Sequence, residues 1–257
     1  MNKGLEWLLG MAAFQAHTRP VQERDPGANL YRTAEEAWNL QTTIHGELAA
    51  SDRGLVVVAN HPRGLLEMLI AGGWLEEATG RPVRFMVNRM AGEVFPALKA
   101  HIVGVDNMGR RGPARSAFNR AALAEALAFL REGGVLYVCP AGQVASWRLR
   151  SPEGWFRSTD HPWHPTFVAL AREAEVPIQL LHLSGSTRLR YRMLRLFGVL
   201  FGRIMNFREF IAGANAKTRI TVADRVDGAL LAQHADAEIS RLCRDRVFSC
   251  AEHTGSS

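Results

Sequence analysis

Hydrophobic positions along the chain switch repeatedly between two periods. Leu55-Val56-Val57-Val58-Ala59 is a short, continuous apolar run with a β-branched centre, the pattern of a strand buried on both faces. It stops at Asn60-His61-Pro62. Helical spacing follows over Leu65 to Ala78, then a strand over Val83 to Val87, a short helix over Glu93 to Ala100 and a strand over His101 to Val105. Arg115 to Arg131 reads as a helix closed by Gly133-Gly134. Val135 to Cys139 reads as a strand running into Pro140-Ala141-Gly142. Beyond it come a helix over His164 to Glu175, a strand over Pro177 to Leu183, a helix over Tyr191 to Phe207, a strand over Arg219 to Ala223 and a closing helix over Ala229 to Cys250. Ahead of the first strand, Leu5 to Phe14 and Ala34 to Leu48 carry helical spacing. The polar stretch Thr18 to Asn29, with its two prolines, reads as loop.

Strands alternating with helices predict an α/β fold with a central, mostly parallel sheet flanked by helices. The 257 residues fit a single domain over 1–253, with an N-terminal helical segment over about 1–50 and a disordered tail over 254–257. No repeat, low-complexity segment or linker marks a second domain.

Composition narrows the partners. The chain is 47% hydrophobic and 22% charged, with mean hydropathy −0.08. Its apolar runs fall short of the roughly 18 to 20 residues that span a bilayer. The net charge of +6 comes from Arg more than Lys and favours acidic partners: phospholipid head groups, an acidic carrier protein or nucleic acid. Zinc-finger spacing and aromatic RNA-binding motifs are absent from the sequence, so nucleic acid is not expected. Three cysteines without regular spacing (Cys139, Cys243 and Cys250) argue for a reducing compartment. The apolar stretch Trp7 to Phe14 follows Glu6 and precedes no clean cleavage site, so an amphipathic first helix is expected rather than a secretory signal.

Two strand ends carry the candidate chemistry. In Asn60-His61-Pro62-Arg63-Gly64-Leu65-Leu66-Glu67, Pro62 biases His61 away from helical geometry and Gly64 permits a tight bend. Glu67 then falls in the first turns of the next helix, from which it could fold back onto the imidazole. A neutral imidazole can take a proton from an acceptor group, and a carboxylate on its other nitrogen would fix the tautomer. The plainer alternative is a helix-capping His61 beside a solvated Glu67. In Cys139-Pro140-Ala141-Gly142-Gln143-Val144-Ala145-Ser146, small residues let backbone N–H groups approach a substrate and bind developing negative charge. An ordinary strand-to-helix turn is the alternative there, and Cys139 reads as buried packing.

Together these blocks resemble the lysophospholipid acyltransferase-like (PlsC-type) superfamily, which pairs a His-x4-Asp motif with a downstream glycine turn. The longer His-x5-Glu spacing of His61 and Glu67 is similar to the hemolysin-like branch, related to the O-acylating enzymes of ornithine-lipid synthesis. That branch carries an Asn-His-Pro-x-Gly block, matched by Asn60 to Gly64, and a Phe-Pro-Ala-Gly-Glu-Val-Ser turn, echoed by Cys139 to Ala145. Its Asp-x-x-Trp pair matches Asp160 and Trp163, and its Val-Pro strand with a Gly-Asn-Ser-like turn is echoed by Val176-Pro177 and Gly185-Ser186-Thr187. Arg208 to Phe210 looks like its late segment. The departures are Gln143 for the branch's acid and Ala145 for its serine, with Ser146 one place later. Arg110 and Arg111 stand out of register with the phosphate-binding arginines of glycerol-phosphate acyltransferases.

The resemblance implies a glycerolipid acyltransferase-like fold with N-terminal helices and an acyltransferase without cofactor or metal. His61 and Glu67 would be catalytic, with Asn60, Pro140, Ala141, Gly142, Gln143 and Ser146 binding substrate. Acyl carrier protein or acyl-CoA would be the donor and a lipid or small molecule the acceptor. A thioesterase, in which water replaces the acceptor, and a non-catalytic lipid- or carrier-binding module are the alternatives. Asp160 and Trp163 also admit a plain reading, a helix N-cap and a core anchor, and that reading is preferred. The Arg-flanked apolar stretch Tyr191 to Phe207 fits either an interfacial helix on an anionic membrane or a core helix with a solvated Arg face. The expected location is cytoplasmic, with peripheral attachment to the inner face of the cytoplasmic membrane as its extension.

Overall fold

The computed structural model describes residues 10–25, 27–107, 112–151, 154–186 and 207–253. Two helices open the described chain, α1 (Met11–Gln22) and α2 (Leu30–Trp38), followed by strands β1 (Gln41–His45) and β2 (Leu55–Ala59). Helix α3 (Leu65–Thr79) leads to β3 (Val83–Asn88), the short α4 (Met90–Val94), a 3-10 turn (Pro96–His101) and β4 (Ile102–Val105). Helix α5 (Pro113–Arg131) leads to β5 (Val135–Val138), a hairpin of β6 (Ser146–Ser151) and β7 (Gly154–Thr159), and α6 (Thr166–Glu173). The chain closes with β8 (Ile178–Leu183), β9 (Lys217–Val226), α7 (Gly228–Gln233) and α8 (Asp236–His253).

The strands form a seven-stranded sheet in the order β1-β9-β8-β2-β5-β3-β4, with β6–β7 a separate two-stranded hairpin. Within the seven-stranded sheet of the described residues the β8–β9 pair is antiparallel, β1 runs parallel to β9, and the remaining neighbours are parallel. The expected mixed α/β architecture with a mostly parallel sheet is therefore present. Helices cover both faces. One face packs α1, α2 and α3 against Val57, Phe85 and Tyr137. The other packs α5, α6 and α8 against Val56, Val58 and Leu180. Double coverage explains why every residue of β2 is buried and why its sequence is continuously apolar.

Several expectations need correction. The N-terminal segment is not helical throughout: β1 lies within the span read as a helix over Ala34 to Leu48. Helix α2 ends at Trp38, where Asn39 adopts the left-handed conformation (φ 47°), and Thr42-Thr43-Ile44 then favours an extended chain. Conversely, α1 continues through Pro20 to Gln22, in the stretch read as loop, because Phe14, Thr18 and Val21 present one buried face. The closing helix is two helices, broken at His234 and Ala235. The β6–β7 hairpin was not anticipated. The first nine residues, Arg110, Arg111, most of the Tyr191 to Phe207 stretch and the tail lie outside the described residues. Among the described residues, no helix is long and apolar enough to cross a membrane.

Candidate active site

The carboxyl end of β2 sits beside β8 and β5, and the chain leaves it as Asn60-His61-Pro62-Arg63-Gly64 before α3 begins. Asn60 is buried and holds both backbone groups of Leu183: Nδ2 donates to Leu183 O at 2.9 Å and Oδ1 accepts from Leu183 N at 2.7 Å. The loop then turns sharply at Gly64, whose φ of 77° is a conformation that side-chain-bearing residues rarely adopt. That turn brings Glu67, on the first turn of α3, back over the loop.

Glu67 is almost fully buried, and its oxygens are occupied in a defined way. Oε1 accepts from the backbone N–H groups of Arg63 and Gly64, the latter at 2.9 Å. Oε2 lies 2.7 Å from His61 Nδ1. A carboxylate only accepts, so Nδ1 carries a proton, and when the ring is neutral Nε2 is the nitrogen left with its lone pair. The N-terminal turn of α3 adds a favourable field for the negative charge. Glu67 retains 1% of its side-chain exposure and His61 18%, so the pair runs from the interior to the surface with the imidazole outermost.

The His61 backbone is fixed from two further sides. Its N–H donates to Asp160 Oδ1 at 3.1 Å, and its carbonyl accepts the Ala145 N–H at 2.7 Å. Asp160 is buried and its Oδ2 accepts from Trp163 Nε1 at 3.0 Å. This corrects the preferred reading of Asp160 as a helix N-cap: α6 begins after Pro165, and Asp160 braces the histidine loop. Trp163 is a core residue, as expected, but its indole N–H also fixes Asp160.

The second predicted block meets the first through Ala145. Pro140 and Ala141 are buried, Gly142 and Gln143 are exposed, and Ser146 opens β6. Gly142 has a φ of 63°, as a tight turn of small residues requires, but its own N–H donates to Cys139 O at 3.0 Å. The Gly142 amide is thus committed inside the turn in this conformation. Asn107 Nδ2 donates to Gly142 O at 3.4 Å.

Electrostatics follow from burial. For His61, burial disfavours the imidazolium, while the Cys139 sulfur and the Glu67 carboxylate favour it; the partners win, and the pKa lies well above the ordinary 6.5. Burial raises the Cys139 thiol against the opposing pull of His61. Burial also lifts Asp160 to about 6, against its hydrogen bond from Trp163. A cavity of about 140 Å³ opens beside the loop, lined by Asn60, Pro62, Asp160, His182, Ser186 and Phe248 among others. The residues flanking His61 line it; the imidazole does not. His182 is a lining residue that sequence reasoning missed, and Asp160 was singled out there but preferred as a helix cap. The Asp160–Trp163 spacing was the available signal for the second.

The chain superimposes on the crystal structure of the 1-acyl-sn-glycerophosphate (LPA) acyltransferase PlsC from Thermotoga maritima over 98% of each chain, with a TM-score of 0.51 and 16% sequence identity. This is a PlsC-like acyltransferase fold. At that identity the likeness concerns architecture alone. No family model matches the sequence, and no curated protein matches it.

Proposed function

We propose that the protein transfers a fatty acyl group from a thioester donor, acyl carrier protein or acyl-CoA, to a hydroxyl or amine of a lyso-lipid or N-acyl amino acid type of acceptor. The observation that carries this reading is the 2.7 Å contact between His61 Nδ1 and Glu67 Oε2, in a pair whose carboxylate is buried and whose imidazole is partly exposed. The PlsC-like fold supports it, since a lipid acyltransferase is built on the same architecture. A net charge of +6 suits an acidic carrier or a phosphorylated donor.

In this mechanism His61 Nε2 takes the proton of the acceptor as its oxygen or nitrogen attacks the thioester carbonyl. The tetrahedral intermediate collapses with cleavage of the carbon–sulfur bond, and the imidazolium returns the proton to the departing sulfur. Glu67 keeps the proton on Nδ1 and stabilises the transient imidazolium. No covalent acyl-enzyme is required, because the thioester is already activated. The loop over 140–146 meets the histidine loop through Ala145, whose N–H donates to the His61 carbonyl, and Gln143 stands at its exposed edge.

The test is incubation of purified protein with acylated carrier protein and, separately, acyl-CoA, against a panel of hydroxyl and amine acceptors, read by mass spectrometry. An acylated acceptor that vanishes with His61→Ala supports the reading. Free fatty acid at the same rate with and without acceptor assigns a thioesterase instead. No turnover of either donor refutes both.

A further inference from the structure

Cys139 stands where β5 ends, and its sulfur lies 3.8 Å from the Glu67 oxygen that meets His61. His61, Glu67 and Cys139 each offer one potential ligand atom, an imidazole nitrogen, a carboxylate oxygen and the sulfur, and these atoms all lie within 4.8 Å of one another. A four-coordinate zinc site with nitrogen, oxygen and sulfur ligands sets its ligand atoms about 3.3 to 3.6 Å apart. Two sides of the triangle, 2.7 Å (Nδ1 to Oε2) and 3.8 Å (Oε2 to Sγ), bracket that range, and the third lies within 4.8 Å.

We propose that His61, Glu67 and Cys139 form a binding site for a thiophilic divalent cation of the Zn²⁺ class. A thiolate and a carboxylate together neutralise the two charges of the ion, which suits a largely buried position. His61 and Cys139 are half-buried and Glu67 is buried. Tyr137, two positions before Cys139 on β5, brings a buried hydroxyl close enough to interact with the sulfur. It is placed to donate to the sulfur once the thiolate forms, the outer support that metal ligands commonly have. Binding releases the thiol proton to solvent, and the second imidazole proton as well when the ring is charged.

The consequence for catalysis rests on the acyl-transfer reading. A metal on Nδ1 leaves the single imidazole proton on Nε2. The nitrogen that would act as base becomes a donor, and turnover stops until the ion is removed. The ion would therefore be an inhibitor, and Cys139 would be the residue that makes this site sensitive to it.

Titration of the full chain with Co²⁺ alone tests binding without reference to activity. One equivalent should bring sulfur-to-cobalt charge-transfer absorption in the near ultraviolet and the intense visible bands of a tetrahedral ion, and Zn²⁺ should displace them. Cys139→Ser, checked for fold by circular dichroism, should lose the charge-transfer band and bind about tenfold or more weakly. Cys139→Ala serves if the serine variant misfolds, and Cys250→Ser should keep the band. Absence of the band in the unmodified protein overturns the site, and so does its persistence without Cys139. If acyl transfer itself is not observed, the cobalt spectrum still decides the binding claim.

Discussion

Asn60 extends the pairing of β2 with β8 past the end of β2 by holding the N–H and the carbonyl of Leu183, at 2.7 and 2.9 Å. The residue before the catalytic candidate thus belongs to the sheet, and this end of β2 is a fixed platform for His61. Asn60→Ala leaves both Leu183 groups without their side-chain partner in a buried place. We expect a loss of about 1 to 3 kcal/mol or more in stability. Urea unfolding should show a lower midpoint at an unchanged slope.

Glu67→Gln replaces an acceptor by a group that can donate to Nδ1. The proton then shifts to Nε2, where it blocks the base, and the rate should fall by about 10²-fold or more. The carboxylate also helps hold the His61 pKa well above its ordinary value. Removing it should move the acidic limb of residual kcat/KM to lower pH. A pH profile of both proteins checks this; an unshifted limb would remove Glu67 from its positioning role.

Trp163→Phe removes the indole donor to Asp160 Oδ2 while leaving Oδ1 on the His61 N–H. A buried carboxylate oxygen without its partner should cost about 1 to 3 kcal/mol. The Asp160 pKa should rise further from about 6, because the Trp163 hydrogen bond currently opposes the effect of burial. Carboxyl titration by NMR and thermal unfolding measure the two effects separately.

Much of the architecture was legible because the central strands are covered on both faces and read as uninterrupted apolar runs. Leu55 to Ala59 is the clearest case. The His61–Glu67 contact was legible for a local reason: Pro62 and Gly64 set the backbone, and six residues bring Glu67 back onto the ring. What escaped depends on partners far along the chain or on half-exposed faces. Asp160 reaches His61 across 99 residues, and nothing local distinguishes it from a helix cap. Strand β1 alternates between exposed and half-buried positions, so its apolar signal is weak. Pro20 argued for a loop until the packing of Phe14 and Val21 outweighed it. The commitment of the Gly142 N–H to Cys139 is turn geometry that residue types alone leave open.

His182 provides a pH test that is independent of catalysis. Burial lowers its pKa from 6.5 to about 4, since the folded protein disfavours the charged ring. The unfolded chain therefore takes up the proton first. The stability associated with the neutral ring is complete above about pH 6.5 and is lost as the pH falls through the folded pKa. The full loss is roughly 3 kcal/mol. His182→Gln should flatten this part of the stability profile in urea melts between pH 7 and 4.

The central claim is tested most directly by acceptor-dependent transfer from acylated carrier protein or acyl-CoA, measured for the unmodified protein and for His61→Ala with its fold verified by circular dichroism. Loss of the general base predicts a fall in kcat/KM of about 10²- to 10⁴-fold with the thermal transition retained. Transfer by the alanine variant within a few-fold of the unmodified rate would contradict the account.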